Sequence, residues 1–363
     1  EEQFEMVQYV EKGRKPRWGY FPKEGHPQAV TRFDGTRITP GFLQAIAYEV
    51  YVKNVTFGLL HQWLGDMGMT VSENTLRNWL KKGRKYLDRM VVELKRIALE
   101  KDAVVNCDET WCKVRKYDRY KKCYMWVLVN KAERVVIFFY EDGSRGRDVL
   151  TNFLGDAELK ALMSDGYNAY VFIGDGLKTH RYKDTDHQVC LAHVRAKFVK
   201  ARMEGGDKRA DVFLDNINRL FRFEREYDRE MITDGERTRR RQGLPTMEAM
   251  INLRANLLQE LKSEEEQKSC YMREALNYLH KFWNEAFTYI KDGRYPISNN
   301  LAERAVRPFT TKRKNSLHFG SDEGAEIVAV YHSIISTVKL QGRSAWDFLV
   351  NFLPEFLTVA EIF

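Results

Sequence analysis

Cysteine is scarce and unpaired in this 363-residue chain. The five cysteines, Cys107, Cys112, Cys123, Cys190 and Cys270, are odd in number, and none stands in a C-x-x-C pair. That argues against a disulfide framework and against an all-cysteine zinc site, and favours reduced thiols in a cytosolic protein. Long apolar runs are also missing. No stretch of 18 or more apolar residues occurs and no signal-peptide pattern is present, which disfavours membrane spanning and secretion. The chain opens at Glu1 rather than at methionine, which is compatible with a processed or truncated product.

What is present is charge on a substantial apolar background. Hydrophobic residues make up 44% of the chain, so a packed core is available and global disorder is disfavoured. The formal net charge is +8, which favours a polyanionic partner. The charge is clustered. Six of the ten residues from Lys113 to Lys122 are Lys or Arg. Arg304, Arg307, Lys312, Arg313 and Lys314 form a second group, and Arg237, Arg239, Arg240 and Arg241 a third. A solvated face is an equally good reading of the third group.

Periodicity and punctuation divide the chain. Residues 1–38 are a small module or arm rich in Gly and Pro, with short strands at Val7, Tyr9 and Val10 and at residues 30–33. Residues 39–100 read as helices. Pro40 stands at a helix start, a second helix runs near residues 57–67, and Ser72 caps a third that carries Leu76, Trp79 and Leu80 and continues through Ile97. The glycine-containing turn and the basic residues Arg77, Lys81, Lys82, Arg84 and Lys85 make this a helix-turn-helix candidate for DNA contact.

From residue 101 the pattern changes to strands at residues 103–107, 123–129, 135–140, 159–163 and 188–192. Helices are expected at residues 147–154 and, briefly, near 167–172. The fold class is therefore α/β, a mixed sheet with helices on its faces. Residues 199–292 are helical and highly charged, broken at Gly205-Gly206 and at residues 234–245, and read as an insertion. Residues 293–363 return to the interrupted domain and end in two helices separated at Gln341-Gly342.

Three acids stand out. Asp108 and Asp165 each follow a short apolar run, as acids delivered at strand tips, and Glu303 opens a helix. Two strand-tip acids and one from a helix suit a pair of hard divalent cations about 4 Å apart, and in a basic chain the natural substrate is a phosphodiester. Other readings stay open: Glu109 as the ligand in place of Asp108, Asp165-Gly166 as an ordinary turn, and Asn300 to Glu303 as a capping box. Cys190-x-x-His193 offers only two zinc ligands, so a structural or active-site-orienting role is favoured, with His193 at the end of the fifth strand. Helical spacing puts Asn300, Glu303 and Arg307 on one face, where Arg307 could grip a phosphate.

At these residues the chain resembles a known family. Ile297-Ser298-Asn299-Asn300-Leu301-Ala302-Glu303-Arg304-Ala305-Val306-Arg307-Pro308, followed by Arg313-Lys314-Asn315 and Phe319-Gly320-Ser321, resembles the C-terminal signature of bacterial insertion-sequence-sixty-six family transposases. Cys107-Asp108-Glu109-Thr110 is similar to the family's first-aspartate motif. Ser164-Asp165-Gly166-Tyr167 with Cys190-Leu191-Ala192-His193-Val194-Arg195-Ala196-Lys197-Phe198 is similar to its second. The tail from Tyr331-His332-Ser333 to Lys339-Leu340-Gln341-Gly342 also fits, so the similarity spans roughly residues 40–353.

The resemblance implies a ribonuclease-H-like catalytic domain whose first part is residues 101–198. It implies an Asp-Asp-Glu triad falling on Asp108, Asp165 and Glu303 and holding two Mg²⁺ ions, which Mn²⁺ can replace. The activity implied is cutting and joining of transposon ends in double-stranded DNA by a homo-oligomer at the nucleoid, with accessory proteins of the element as candidate partners. The family usually carries a cysteine-rich zinc module upstream; this chain has no cysteine before Cys107. The competing expectations are a DNA-binding regulator derived from a transposase and a junction-cutting nuclease of the same fold.

Overall fold

A computed structural model describes residues 4–9, 17–22, 38–174, 181–263, 268–316 and 318–352, with side chains from residue 38 to 350 except that of Lys312. The chain forms two compact units, residues 1–89 with 342–363, and residues 90–341.

In the first unit, strands β1 (Phe4–Tyr9) and β2 (Arg17–Pro22) pair antiparallel. Val7 and Tyr9 fall in β1 as expected; Val10 and residues 30–33 lie outside the described residues. Helix α1 (Pro40–Tyr51) begins with proline at its first position, and the Thr39 hydroxyl accepts the Phe42 N–H at 3.2 Å. It buries Leu43, Ile46, Ala47 and Val50, the i, i+3, i+4, i+7 stripe of an amphipathic helix. Helix α2 (Phe57–Asp66) is capped by Thr56. A turn through Gly68, at φ +84°, leads to helix α3 (Glu73–Ala98), capped by Ser72 through the Thr75 N–H at 3.1 Å. The turn is tied back by Met69 N–H to the Leu64 carbonyl (2.8 Å) and by His61 Nδ1 against the Val71 carbonyl (2.6 Å).

The second unit is built on a five-stranded mixed sheet. Its strands are β3 (Val104–Lys116), β4 (Arg119–Asn130), β5 (Val135–Phe139), β6 (Ala161–Ser164) and β7 (Asp186–Val189), in the order β5-β4-β3-β6-β7. β3 and β4 are an antiparallel hairpin, while β3, β6 and β7 run parallel. The central parallel strand β6 is buried along its whole length, as a strand covered on both faces must be. Helix α4 (Arg147–Leu154) matches the sequence expectation. With the end of α3 it covers one face, where Val105, Cys107, Trp126, Leu128, Ile137, Leu150 and Tyr170 pack.

Helix α5 (Leu191–Met203) follows β7 and opens a helical block of α6 (Ala210–Glu230), α7 (Asp234–Arg241), α8 (Leu244–Lys262), α9 (Cys270–Lys281) and α10 (Trp283–Phe287). The chain then returns to the sheet through α11 (Asn300–Ser316) and α12 (Asp322–Leu340). α12 protects the β5 edge. Its Thr337 hydroxyl accepts the Val136 N–H (2.9 Å) and donates to the Val136 carbonyl (3.0 Å), and Ser333 does the same for Phe138 at 2.8 and 3.3 Å. Four residues of helix rise about 6 Å and two residues of strand about 6.6 Å, so hydroxyls at i and i+4 can stand in for a neighbouring strand.

Three expectations are corrected. Asp108 is not at a strand tip: β3 runs eight residues past it to Lys116, because β4 and the segment at Phe319 continue to pair with it. β7 ends at Val189, so Leu191 and Ala192 are helical and His193 lies in the first turn of α5. Residues 234–241 form a helix rather than a break, because Thr233 caps them and each of their arginines finds a carboxylate.

The last of these pairings ties α6 and α7 to the segment that follows α10. Buried Arg241 grips Glu224 with two hydrogen bonds (2.8 and 2.7 Å) and donates to the carbonyls of Tyr289, Asp292 and Tyr295. It thereby holds the segment that leads into α11.

Candidate active site

Register explains how two of the acids meet. β3 pairs with β6 through Val104–Ala161, Val105–Leu162 and Asn106–Met163. Asp108 stands two residues past the last of these pairs, still on β3, and Asp165 just past the end of β6, near enough for its charge to act on the Asp108 carboxyl. Past Ser164 the chain turns at Gly166 (φ +82°), where an added Cβ would sit 2.8 Å from the Tyr278 hydroxyl. Asp165 Oδ1 accepts the Tyr167 N–H at 2.8 Å, and the Tyr278 hydroxyl donates to the Asp165 carbonyl, so the turn is fixed from α9.

Glu303 arrives through Asn299, which is fully buried. The Asn299 amide donates to the Cys107 carbonyl (2.8 Å) and accepts from Asn106 Nδ2 (2.9 Å), and its backbone N–H points to Cys190 Sγ (3.1 Å). The residue beside Asp108 is therefore tied to a residue one helical turn, about 6 Å, before Glu303. Asn300, which helical spacing puts on one face with Glu303 and Arg307 and which the sequence offers with Cys190 and His193 as support for the site, is exposed, and these ties are made by its neighbour Asn299. No sequence signal distinguishes two adjacent asparagines at a helix start.

The acids repel one another. The Asp108 carboxyl is pushed up from 3.8 to about 8, first by burial and then by the charges of Glu109, Asp165 and Glu303. Glu109 is also raised, mainly by burial, but its oxygens are occupied: Tyr170 donates to one at 2.5 Å, and Arg145 binds the other at 2.9 and 2.6 Å. Asp108 accepts only the Glu109 N–H and has no cationic partner among the described residues. Arg145 stacks on Tyr167 at 3.8 Å, which links Glu109 to the turn after Asp165. Neither Arg145 nor Tyr170 was singled out from sequence, since each lies far along the chain from the acid that it serves.

His193 and Cys190 face Glu303. His193 Nδ1 lies 3.7 Å from Glu303 Oε1 and has no hydrogen-bond partner among the described residues, and the ligand atoms of Cys190, His193 and Glu303 lie within 4.8 Å of one another. The fold thus sets Glu303 beside the Cys-x-x-His pair.

The basic residues divide. Arg77 is paired with Glu73 (2.5 Å) and lies over Phe57, and Arg84 is paired with Asp88 (3.3 Å). Lys81 and Lys85 are exposed on α3 and Lys82 is half-buried. On α11, Arg304, Arg307 and Lys314 are exposed. Arg313 stacks on Trp111 at 3.9 Å and donates to its carbonyl at 2.7 Å. The side chain of Lys312 lies outside the described residues. Among the described residues, no helix is long and apolar enough to cross a membrane.

The profile described as "Transposase IS66 family" matches residues 35–327, and the chain belongs to that family. Relatives include the Uncharacterized protein y4jD of Sinorhizobium fredii (strain NBRC 101917 / NGR234), 25% identical over 349 residues and 91% of this chain. The Uncharacterized protein y4qI of the same organism is 27% identical over 216 residues and 59% of this chain. This chain covers 65% of the first relative's length and 39% of the second's.

Proposed function

We propose that this chain is a DNA transposase of the Asp-Asp-Glu type, in which Asp108, Asp165 and Glu303 hold two Mg²⁺ ions. The observation that carries the reading is the Asn299 tie, which joins the strand of Asp108 to the helix of Glu303, while the charges of Asp165 and Glu303 both act on the Asp108 carboxyl. The strand order β5-β4-β3-β6-β7 with β4 and β5 antiparallel supports a ribonuclease-H-like core. The donor set fits the metal: hard carboxylate oxygens, with Asp108 lifted to about 8 by burial and by neighbouring charge that a divalent cation would offset.

When bound, the two ions activate a water or a 3′-hydroxyl and stabilise the leaving oxygen. The protein's own residues orient the substrate. Glu109, neutralised by Arg145 and Tyr170, stiffens β3 at Asp108. His193 packs against Glu303 and limits where its carboxylate can swing. Arg304 and Arg307 offer bidentate contacts to phosphates, and α3 with its turn from α2 acts as a helix-turn-helix whose Arg77, Lys81, Lys82, Arg84 and Lys85 contact DNA. Reaction on two element ends calls for two active sites, hence a homo-oligomer on DNA at the nucleoid, with accessory proteins of the element as further partners.

The test is Mg²⁺-dependent end cleavage and strand transfer with a labelled duplex carrying an element end. Asp108→Asn and Glu303→Gln are expected to fall to background while still binding the duplex in chelator. Wild-type rates in either variant would contradict the proposal. Junction cutting without joining would favour the nuclease instead, and binding without any cleavage the regulator.

A further inference from the structure

The basic run from Lys113 to Lys122 is absorbed by neither the acids nor α11. It forms the outer half of the β3–β4 hairpin. Register places Lys113 opposite Lys122, Arg115 opposite Tyr120 and Trp111 opposite Tyr124. Those six side chains share one face, because side chains alternate along a strand. Like charges directly opposite one another destabilise a sheet, so nothing in the fold rewards Lys113 facing Lys122.

Most of these cations are also left without a carboxylate. Lys116 is held by Asp142 and Asp322, but Lys113, Arg115, Arg119, Lys121 and Lys122 are exposed and make no ion pair among the described residues. The contrast is the cluster at residues 237–241, of which every arginine is neutralised by a carboxylate.

Aromatic rings interleave with these charges. Lys122 lies over Trp111 (6.0 Å) and Tyr124 (5.7 Å), Arg313 over Trp111 (3.9 Å), and Arg145 over Tyr124 (5.1 Å) and Tyr167 (3.8 Å). The strip of cations and rings therefore runs unbroken from the hairpin to the turn after Asp165. At the apex Tyr117 is 96% exposed at φ +57°, a conformation that a tyrosine adopts only at a cost. The arm is braced: Phe319 exchanges backbone hydrogen bonds with Lys113 and Arg115, both at 2.8 Å.

From Asp108 to Lys113 is five residues of strand, about 17 Å, and to Tyr117 about 30 Å. One turn of B-DNA spans roughly 34 Å. We infer that the outer β3–β4 hairpin is a second DNA-binding arm, which grips the phosphates of the duplex up to about one helical turn from the scissile bond through Lys113, Arg115 and Lys122. The inference rests on the reading of this chain as a DNA transposase. It adds an element that positions the duplex along the axis of the catalytic strand, and the occupant is double-helical DNA because the patch is cationic, rigid and as long as a helical turn.

The test uses the full chain in chelator with a fluorescent 40-base-pair duplex of arbitrary sequence, titrated at several salt concentrations. Neutralising Lys113→Gln, Arg115→Gln and Lys122→Gln together should lower the slope of log affinity against log salt by about 2.7 and weaken binding on the order of a hundredfold near 100 mM salt. The melting temperature should hold or rise, since a like-charge pair is removed. A control pair, Lys131→Gln with Lys183→Gln, should leave binding unchanged.

Undiminished slope and affinity in the triple variant, with a wild type that binds steeply with salt, would overturn the arm and leave the transposase reading intact. So would a loss confined to single-stranded 40-mers. A wild type without salt-dependent duplex binding would overturn both.

Discussion

Replacing Asp108 with asparagine should stabilise the metal-free protein, and do so more strongly as pH rises. In the folded chain the Asp108 carboxyl is raised from 3.8 to about 8, by burial first and then by Glu109, Asp165 and Glu303. A carboxyl with a raised folded-state value prefers to keep its proton in the native state. The stability linked to that proton is fully present below about pH 4 and is lost as pH rises through about 8. Four units at about 1.4 kcal/mol each set a ceiling of about 6 kcal/mol on the loss, and relaxation of the site lowers it. An asparagine at this position would be neutral throughout and lose nothing.

Urea unfolding of wild type and Asp108→Asn in chelator, at pH 5 and pH 8.5, measures the difference. The advantage of the variant should grow by at least 2 kcal/mol between the two conditions, on the order of a third of the ceiling. Saturating Mg²⁺ should erase most of it, by stabilising the ionised carboxylates of the wild type. Parallel pH profiles would refute the claim that Asp108 is buried among like charges.

Two further perturbations probe how the acids are held. Asn299→Ala strands the Cys107 carbonyl and the Asn106 amide in the interior, so thermal unfolding should show a loss of about 2–4 kcal/mol, and strand transfer should fall while duplex binding in chelator is retained. Arg241→Met leaves Glu224 buried with only Arg237 beside it; a loss of about 3 kcal/mol by chemical denaturation is expected, largely recovered in the double variant with Glu224→Met.

Much of this was legible in the residues. Helix starts at Pro40 and after Ser72, the helix at residues 147–154 and the apolar strand before Asp165 all follow from caps and periodicity. The reach of β3 was not legible, because beyond Asp108 its apolar partners give way to a two-stranded ribbon whose outward residues are charged, and such a stretch reads as loop. Cys190-Leu191-Ala192 continues the apolar run of β7, so the boundary with α5 was invisible to a hydrophobicity pattern. The arginines at 237–241 look like a free basic patch until folding brings Glu224 and Asp228 of α6 against them. The meeting of Cys190, His193 and Glu303 spans more than a hundred residues, a separation that no local pattern reveals.

The most direct measurement of the central claim is anomalous diffraction from crystals of the full chain soaked in Mn²⁺. Manganese peaks should lie among the carboxylates of Asp108, Asp165 and Glu303. Manganese bound elsewhere, or Asp108 and Asp165 without metal while the soaked crystal holds it at another site, would contradict it.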